Sequence, residues 1–174
     1  MALNYMGAHT SDPDIQAVLD SIRRIVRALR LFDRQAEKRF GLSGAQVFVL
    51  QKLGDGKAIS INELAGRTHT HQSSVSVVVG KLFNRRLVRR FSSSKDARRV
   101  ELSLTGRGRR LLRSAPPSAQ DRLIASLAAV SKIRRRRLGE LLTELIRKTG
   151  IERQPPALFF EDPVPRRRRR RKMI

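Results

Sequence analysis

Cysteine is absent from this sequence, and with it go disulfides, thiolate metal sites and any cysteine-based redox switch. Histidine is scarce, with His9, His69 and His71 the only three. His69 and His71 stand two apart, a poor spacing for one helical face, and no carboxylate cluster nearby completes a ligand set. No metal or other cofactor is therefore expected, and both read as solvated loop residues. Aromatic residues make up only 5% of the chain, which leaves no visible base-stacking platform and makes RNA the weaker nucleic-acid partner. No apolar run approaches the roughly 18 residues that a membrane span needs. The opening MALNYMGAHTSDPD lacks the basic-then-apolar layout of a secretory signal, so the expectation is a cytoplasmic chain with no membrane partner.

Acidic residues are also few: 15 Asp and Glu stand against 38 Lys and Arg, for a formal net charge of +23. Such a charge repels itself unless a polyanion neutralises it, and nucleic acid is the obvious one. The run 166–172 (RRRRRRK) carries part of the excess, but the rest of the chain is strongly basic without it. Missing too are a nucleophile–base pair, a glycine-rich phosphate loop and a metal signature, so the chain does not read as an enzyme. Gly106 and Gly108 lack the setting of a nucleotide site and serve instead to ease a strand-to-helix turn.

What is present is periodicity. With 174 residues, 40% of them hydrophobic, the chain can build one compact unit with tails. Ile15, Val18, Leu19, Ile22, Ile25, Val26, Leu29 and Phe32 fall on one face of a helix opened by Asp12 and Pro13 and ended by Gly41. Ser43 caps a second helix to about Leu53, with Val47, Leu50 and Leu53 inward. Ser60 and Glu63 form a capping box that opens a short helix ending near Arg67. Thr70 is the expected cap of the next segment, whose valine-rich run 75–79 favours a strand on propensity alone. Val75, Val78, Val79 and Leu82 nevertheless share one helical face, leaving Gln72, Ser73, Ser76 and Gly80 on the other.

Residues 87–91 and 100–104 then read as a hairpin with a basic tip. Thr105 caps a further helix, Pro116 and Pro117 are placed to kink it, and a leucine-striped helix runs from about 131 to 148 before Gly150. Arg134 to Arg137 crowd the positive start of that last helix, an unfavourable arrangement that asks for a counter-anion or an acidic partner helix. Beyond it lies a proline-rich and then purely basic tail, whose LFF forms a small apolar docking patch.

This order of elements is that of a winged helix-turn-helix, in which one helix enters the DNA major groove and the hairpin reaches the adjacent minor groove. The segment ISINELAGRTHTHQSSVSVVVGKLFNRRLVRR followed by KDARRVELSLTGRGRRLL resembles the MarR (multiple antibiotic resistance regulator) family of bacterial transcription factors, over roughly residues 15 to 148. The resemblance implies that Asp96 holds the wing tip by ion pairing and that Arg98 faces the minor groove or its phosphates. Arg99 and Lys95 are expected phosphate contacts, although Asp96 and Arg98 also have a plainer reading as stabilisers of a turn. On the recognition helix, Gln72 can pair with adenine, and Ser73, Ser74 and Ser76 can reach bases or phosphate; the alternative is a solvated polar face. Lys81, Arg85 and Arg86 are placed to grip the backbone, unless each is an ordinary surface charge.

One departure stands out. The family commonly has glycine where this chain has Arg86, and a left-handed conformation there is costly for arginine, so either the turn differs or Asn84 relieves it. The expected organisation is a flexible N-terminus (1–11), an N-terminal dimerisation helix (12–42), a DNA-binding domain (43–104), C-terminal dimerisation helices (105–150) and the tail (151–174). The fold class is mainly α with a small β-hairpin wing. The two amphipathic ends need a partner to bury their stripes, which predicts a homodimer on a pseudo-palindromic double-stranded operator in the nucleoid. The resemblance adds a repressor role and release by a small-molecule effector, which the sequence does not identify. The alternative is a basic protein that coats nucleic acid without regard to sequence.

Overall fold

The computed structural model describes residues 12–92, 100–150, 158, 159 and 161. Helix α1 (Pro13–Phe40) begins where the Asp12 carboxylate accepts from the backbone N–H of Asp14 at 2.9 Å and of Ile15 at 3.3 Å. It ends at Gly41, whose φ of 63° only glycine adopts freely. Helix α2 (Gly44–Lys52) follows its Ser43 cap and is buried on every side from Gly44 to Leu50, more completely than the inward stripe of Val47, Leu50 and Leu53 predicts. The reason is tertiary: α1, α3, α4 and α5 all pack around it. A helix apolar all round belongs at the centre of a core.

Strand β1 (Ile59–Ser60) precedes α3 (Ile61–Thr68), and α4 (Gln72–Asn84) follows a tight turn. Strands β2 (Val88–Ser92) and β3 (Val100–Leu104) form the hairpin, with Val88 opposite Leu104 and Ser92 opposite Val100. The two-residue β1 has too short a pattern to be legible in sequence; it pairs with β3 and makes the sheet three-stranded in the order β1-β3-β2. The architecture is thus a mainly helical winged helix with one small antiparallel sheet.

Several local expectations are corrected. The N-cap of α4 is His71, not Thr70, and it caps without a side-chain hydrogen bond. The capping box at Ser60 is half made: Ser60 Oγ accepts from the Glu63 N–H at 3.2 Å, but the Glu63 carboxylate turns to Arg67 instead. Pro116 and Pro117 do not kink a helix; they separate α5 (Gly106–Arg113) from α6 (Ala119–Ala129), which starts anew at the Ser118 cap. Proline has no N–H to donate and disfavours helix in the residue before it, so two in succession end one.

Helix α7 (Lys132–Thr149) buries none of its residues. Of the crowded arginines at its start, Arg135 donates to the carbonyls of Leu127 and Ala128 at the end of α6 and Arg137 pairs with Glu140. Ile15, Val18, Leu19, Ile22 and Ile25 on α1 and the whole leucine stripe of α7 remain exposed, while Leu29, Phe32 and Ala36 at the other end of α1 join the core.

Candidate nucleic-acid interface

The interface is built on α4. Val75, Val78, Val79 and Leu82 are fully buried against α2 and α3, which fixes the helix's rotation and sends the other face outward. The turn that sets its entry angle runs through His69, held left-handed at φ 51°, with the Thr70 N–H donating to the Ala65 carbonyl at 3.1 Å. Burial of the valine stripe outweighs the strand propensity of the run, which separate propensities cannot reveal.

Gln72, Ser73 and Ser76 are exposed on the outward side, while Ser74 is half-buried and engaged within the fold. Gln72 and Ser76 line a groove of about 640 Å³ between α4, the start of α3 and the sheet, and Arg90 of β2 lines it with them. Asn62 completes the polar wall. In the sequence, Arg89 and Arg90 read only as strand residues. Strand alternation was the signal available: one of two adjacent arginines in LVRRF must face the helix. Arg90 packs its guanidinium over the Phe83 ring at 5.1 Å, and Arg89 donates from Nε to Ser103 Oγ at 2.8 Å.

Of the cations expected at the far end of α4, Lys81 and Arg85 are engaged in the fold, and the Arg86 side chain is exposed. Lys81 Nζ donates to Glu161 Oε1 at 2.9 Å. The Arg85 guanidinium donates to the Gly41 carbonyl, tying α4 to the end of α1. Arg86 itself takes the left-handed conformation at φ 58°, so the turn keeps its shape and Asn84, inside α4, gives no relief. Thr105 Oγ1 donates to the Arg86 carbonyl at 2.8 Å and braces the turn. Lys95, Asp96, Arg98 and Arg99 lie outside the described residues.

Behind α4 a second hollow of about 310 Å³ opens between α2, the α3–α4 turn and α6. Phe48, Leu123, Ile124, Leu127 and Leu158 give it an apolar lining, and the buried Gln120 Oε1 there has no hydrogen-bond partner among the described residues. His69 and His71 line it while both remain exposed, as their reading as solvated loop residues expects. Among the described residues no three His, Asp or Glu side chains gather as a metal site, and no helix is long and apolar enough to cross a membrane.

Below α4, Arg67 donates to Asp55 at 2.8 Å, to Glu63 at 2.9 Å and to the Lys52 carbonyl at 3.1 Å, which pins α2 to α3. The Arg67 hydrogen bond holds the Asp55 carboxyl below its ordinary range, against a smaller opposing effect of burial.

A sequence model of the MarR family matches residues 40–99, from the end of α1 through β2 to the residue before β3. Over those residues the chain is similar to the MarR family. Its similarity to the HTH-type transcriptional repressor MdtR of Bacillus subtilis (strain 168) is 30% identity over 95 residues, 55% of this chain and 59% of MdtR. The chain therefore spans under two thirds of that relative's length. The crystal structure of the transcriptional regulator BldR from Sulfolobus solfataricus superposes with a TM-score of 0.52 at 27% identity, covering 81% of this chain and 99% of BldR. Bordetella bronchiseptica BpsR shares the fold at a TM-score of 0.51 and 24% identity, over 80% of this chain and 97% of BpsR. The MarR-family match ends within the hairpin, and the BldR superposition carries the likeness into the terminal helices.

Proposed function

We propose that this protein is a sequence-specific double-stranded DNA-binding transcriptional regulator, acting as a homodimer and most simply as a repressor in the nucleoid. The observation that carries the reading is the shared groove of Gln72, Ser76 and Arg90: a helix held rigidly from behind presents small polar side chains, with a fixed guanidinium beside them. Glutamine and serine suit base edges and arginine suits phosphate or a narrow minor groove. In this reading Arg98, Arg99 and Lys95 add minor-groove or phosphate contacts and Asp96 supports them by ion pairing, as the family resemblance implies. The exposed stripes of α1 and α7 support pairing, and a two-fold pair sets its recognition helices about 34 Å apart, one turn of DNA. The apolar hollow behind α4 supports release by a small ligand, since a molecule lodged between α6 and the α3–α4 turn would bias the angle of α4.

The test is fluorescence anisotropy of a chain truncated after Pro165 against its own upstream DNA and a scrambled duplex, at roughly 150 mM salt. A preference for the upstream duplex with two protomers per site supports the reading. Equal binding to both, with affinity collapsing as salt rises, favours the sequence-independent coating protein that the charge of +23 also suits.

A further inference from the structure

Past the last helix, the described residues Leu158, Phe159 and Glu161 dock back onto the winged helix. Leu158 is 6% exposed and packs in the apolar hollow behind α4. The Glu161 N–H donates to the Leu158 carbonyl at 3.0 Å, which couples the two residues in one turn. The Glu161 carboxylate accepts from Lys81 Nζ at 2.9 Å and from Ser43 Oγ at 3.4 Å. Ser43 is the cap of α2, and its hydroxyl also accepts from the Gln46 N–H at 3.2 Å. A buried carboxylate thus occupies a point where the positive end of α2, a hydroxyl and an ammonium of the recognition helix converge. The burial is lopsided, with the Glu161 side chain 5% exposed and that of Lys81 43% exposed. The cation stays within reach of solvent, while its partner is enclosed.

Carboxylate and phosphodiester oxygens use the same donors: ammonium, hydroxyl and the end of a helix. We propose that the site formed by Ser43, the start of α2 and Lys81 receives a DNA phosphodiester, and that Glu161, tethered through Leu158, is its resting occupant. The inference rests on the DNA-binding reading. A phosphodiester brought onto Lys81 and Ser43 beside the Glu161 carboxylate would set two anions against each other, so DNA gains that contact most favourably by displacing the segment. A segment docked nine-tenths of the time lowers the apparent affinity by up to about tenfold. The chain thereby carries its own competitor for one backbone contact.

The test is anisotropy of the full chain with a fluorescein-labelled mixed-sequence duplex, titrated at several salt concentrations between about 50 and 200 mM. Glu161→Gln should tighten binding about three- to tenfold and steepen the logarithmic salt dependence by up to about 0.9. Leu158→Ser should tighten it as well, without changing charge. Glu140→Gln on α7 alters net charge as Glu161→Gln does and should leave affinity near that of the parent, and in a Lys81→Gln background Glu161→Gln should gain nothing. Parent-like or weaker binding by Glu161→Gln overturns the inference and leaves the segment a structural clasp. Should the Leu158→Ser chain fail to unfold cooperatively, Glu161→Gln alone decides between these outcomes. No duplex binding by parent or variants at the lowest salt would instead remove the DNA-binding reading itself.

Discussion

A Cβ on Gly108 would stand 2.2 Å from the carbonyl oxygen of Leu87. That oxygen accepts from the Thr105 N–H at 3.0 Å and from Thr105 Oγ1 at 3.2 Å, so the approach to β2 and the start of α5 meet at one point. Gly108→Ala must push backbone away from backbone and should cost about 1 to 3 kcal/mol in urea unfolding. Gly106→Ala is the contrast. Its Cβ would meet only the far end of Arg110 at 3.7 Å, so no comparable loss is expected. Equal losses would show that the contact with Leu87 gives way.

Arg86 is held at φ 58°, a conformation that costs a residue with a Cβ about 1 to 2 kcal/mol. Arg86→Gly should therefore raise stability by about 1 kcal/mol. The same change should weaken duplex binding, because it removes an exposed cation next to α4. Denaturation and anisotropy on one variant would separate the two effects; a loss of stability would mean that the arginine side chain makes up for its own backbone strain.

The exposed leucines of α7 give a third prediction. Leu142→Glu, or Ile22→Glu on α1, should shift the protein from dimer to monomer in sedimentation equilibrium and lower its melting temperature, since a bound partner stabilises the folded state. Thr143→Glu, beside the stripe, serves as the control. A parent already monomeric at micromolar concentration would remove the dimer from the proposal.

Asp55 supplies a pH dependence of known sign. Its carboxyl is held below the ordinary value of 3.8 chiefly by the hydrogen bond from Arg67, so its contribution to stability is fully present above that value. The contribution is lost as pH falls through the lowered folded-state value. The stability difference between the parent and Asp55→Asn should be constant near neutrality and vanish in the acid range below 3.8. A difference that persists at the lowest pH would locate the effect in shape rather than charge.

Helix α4 shows how much of the site was legible. Its valines at 75, 78 and 79 with Leu82 declare a buried face, and that face places Gln72, Ser73 and Ser76 outward by geometry alone. Arg90 was not legible as a groove residue, because which side of β2 faces the helix depends on the register between Val88 and Leu104. Lys81 and Arg85 read as free cations in the sequence. Their partners, Glu161 and the Gly41 carbonyl, lie 80 and 44 residues away and carry no local signal.

By itself the sequence determined six helix starts: Asp12, Ser43, Ser60, Thr105, Ser118 and Ser131 each open a helix with a side chain that reaches its own next turn. These are contacts within three residues, and local chemistry is enough to specify them. Only the tertiary structure decided that α2 is enclosed on all sides, that β1 joins the hairpin, that Arg86 bears the left-handed turn, and that Glu161 returns to Lys81 of α4. Each of these depends on surfaces brought together from distant parts of the chain, where burial outweighs what any one segment prefers.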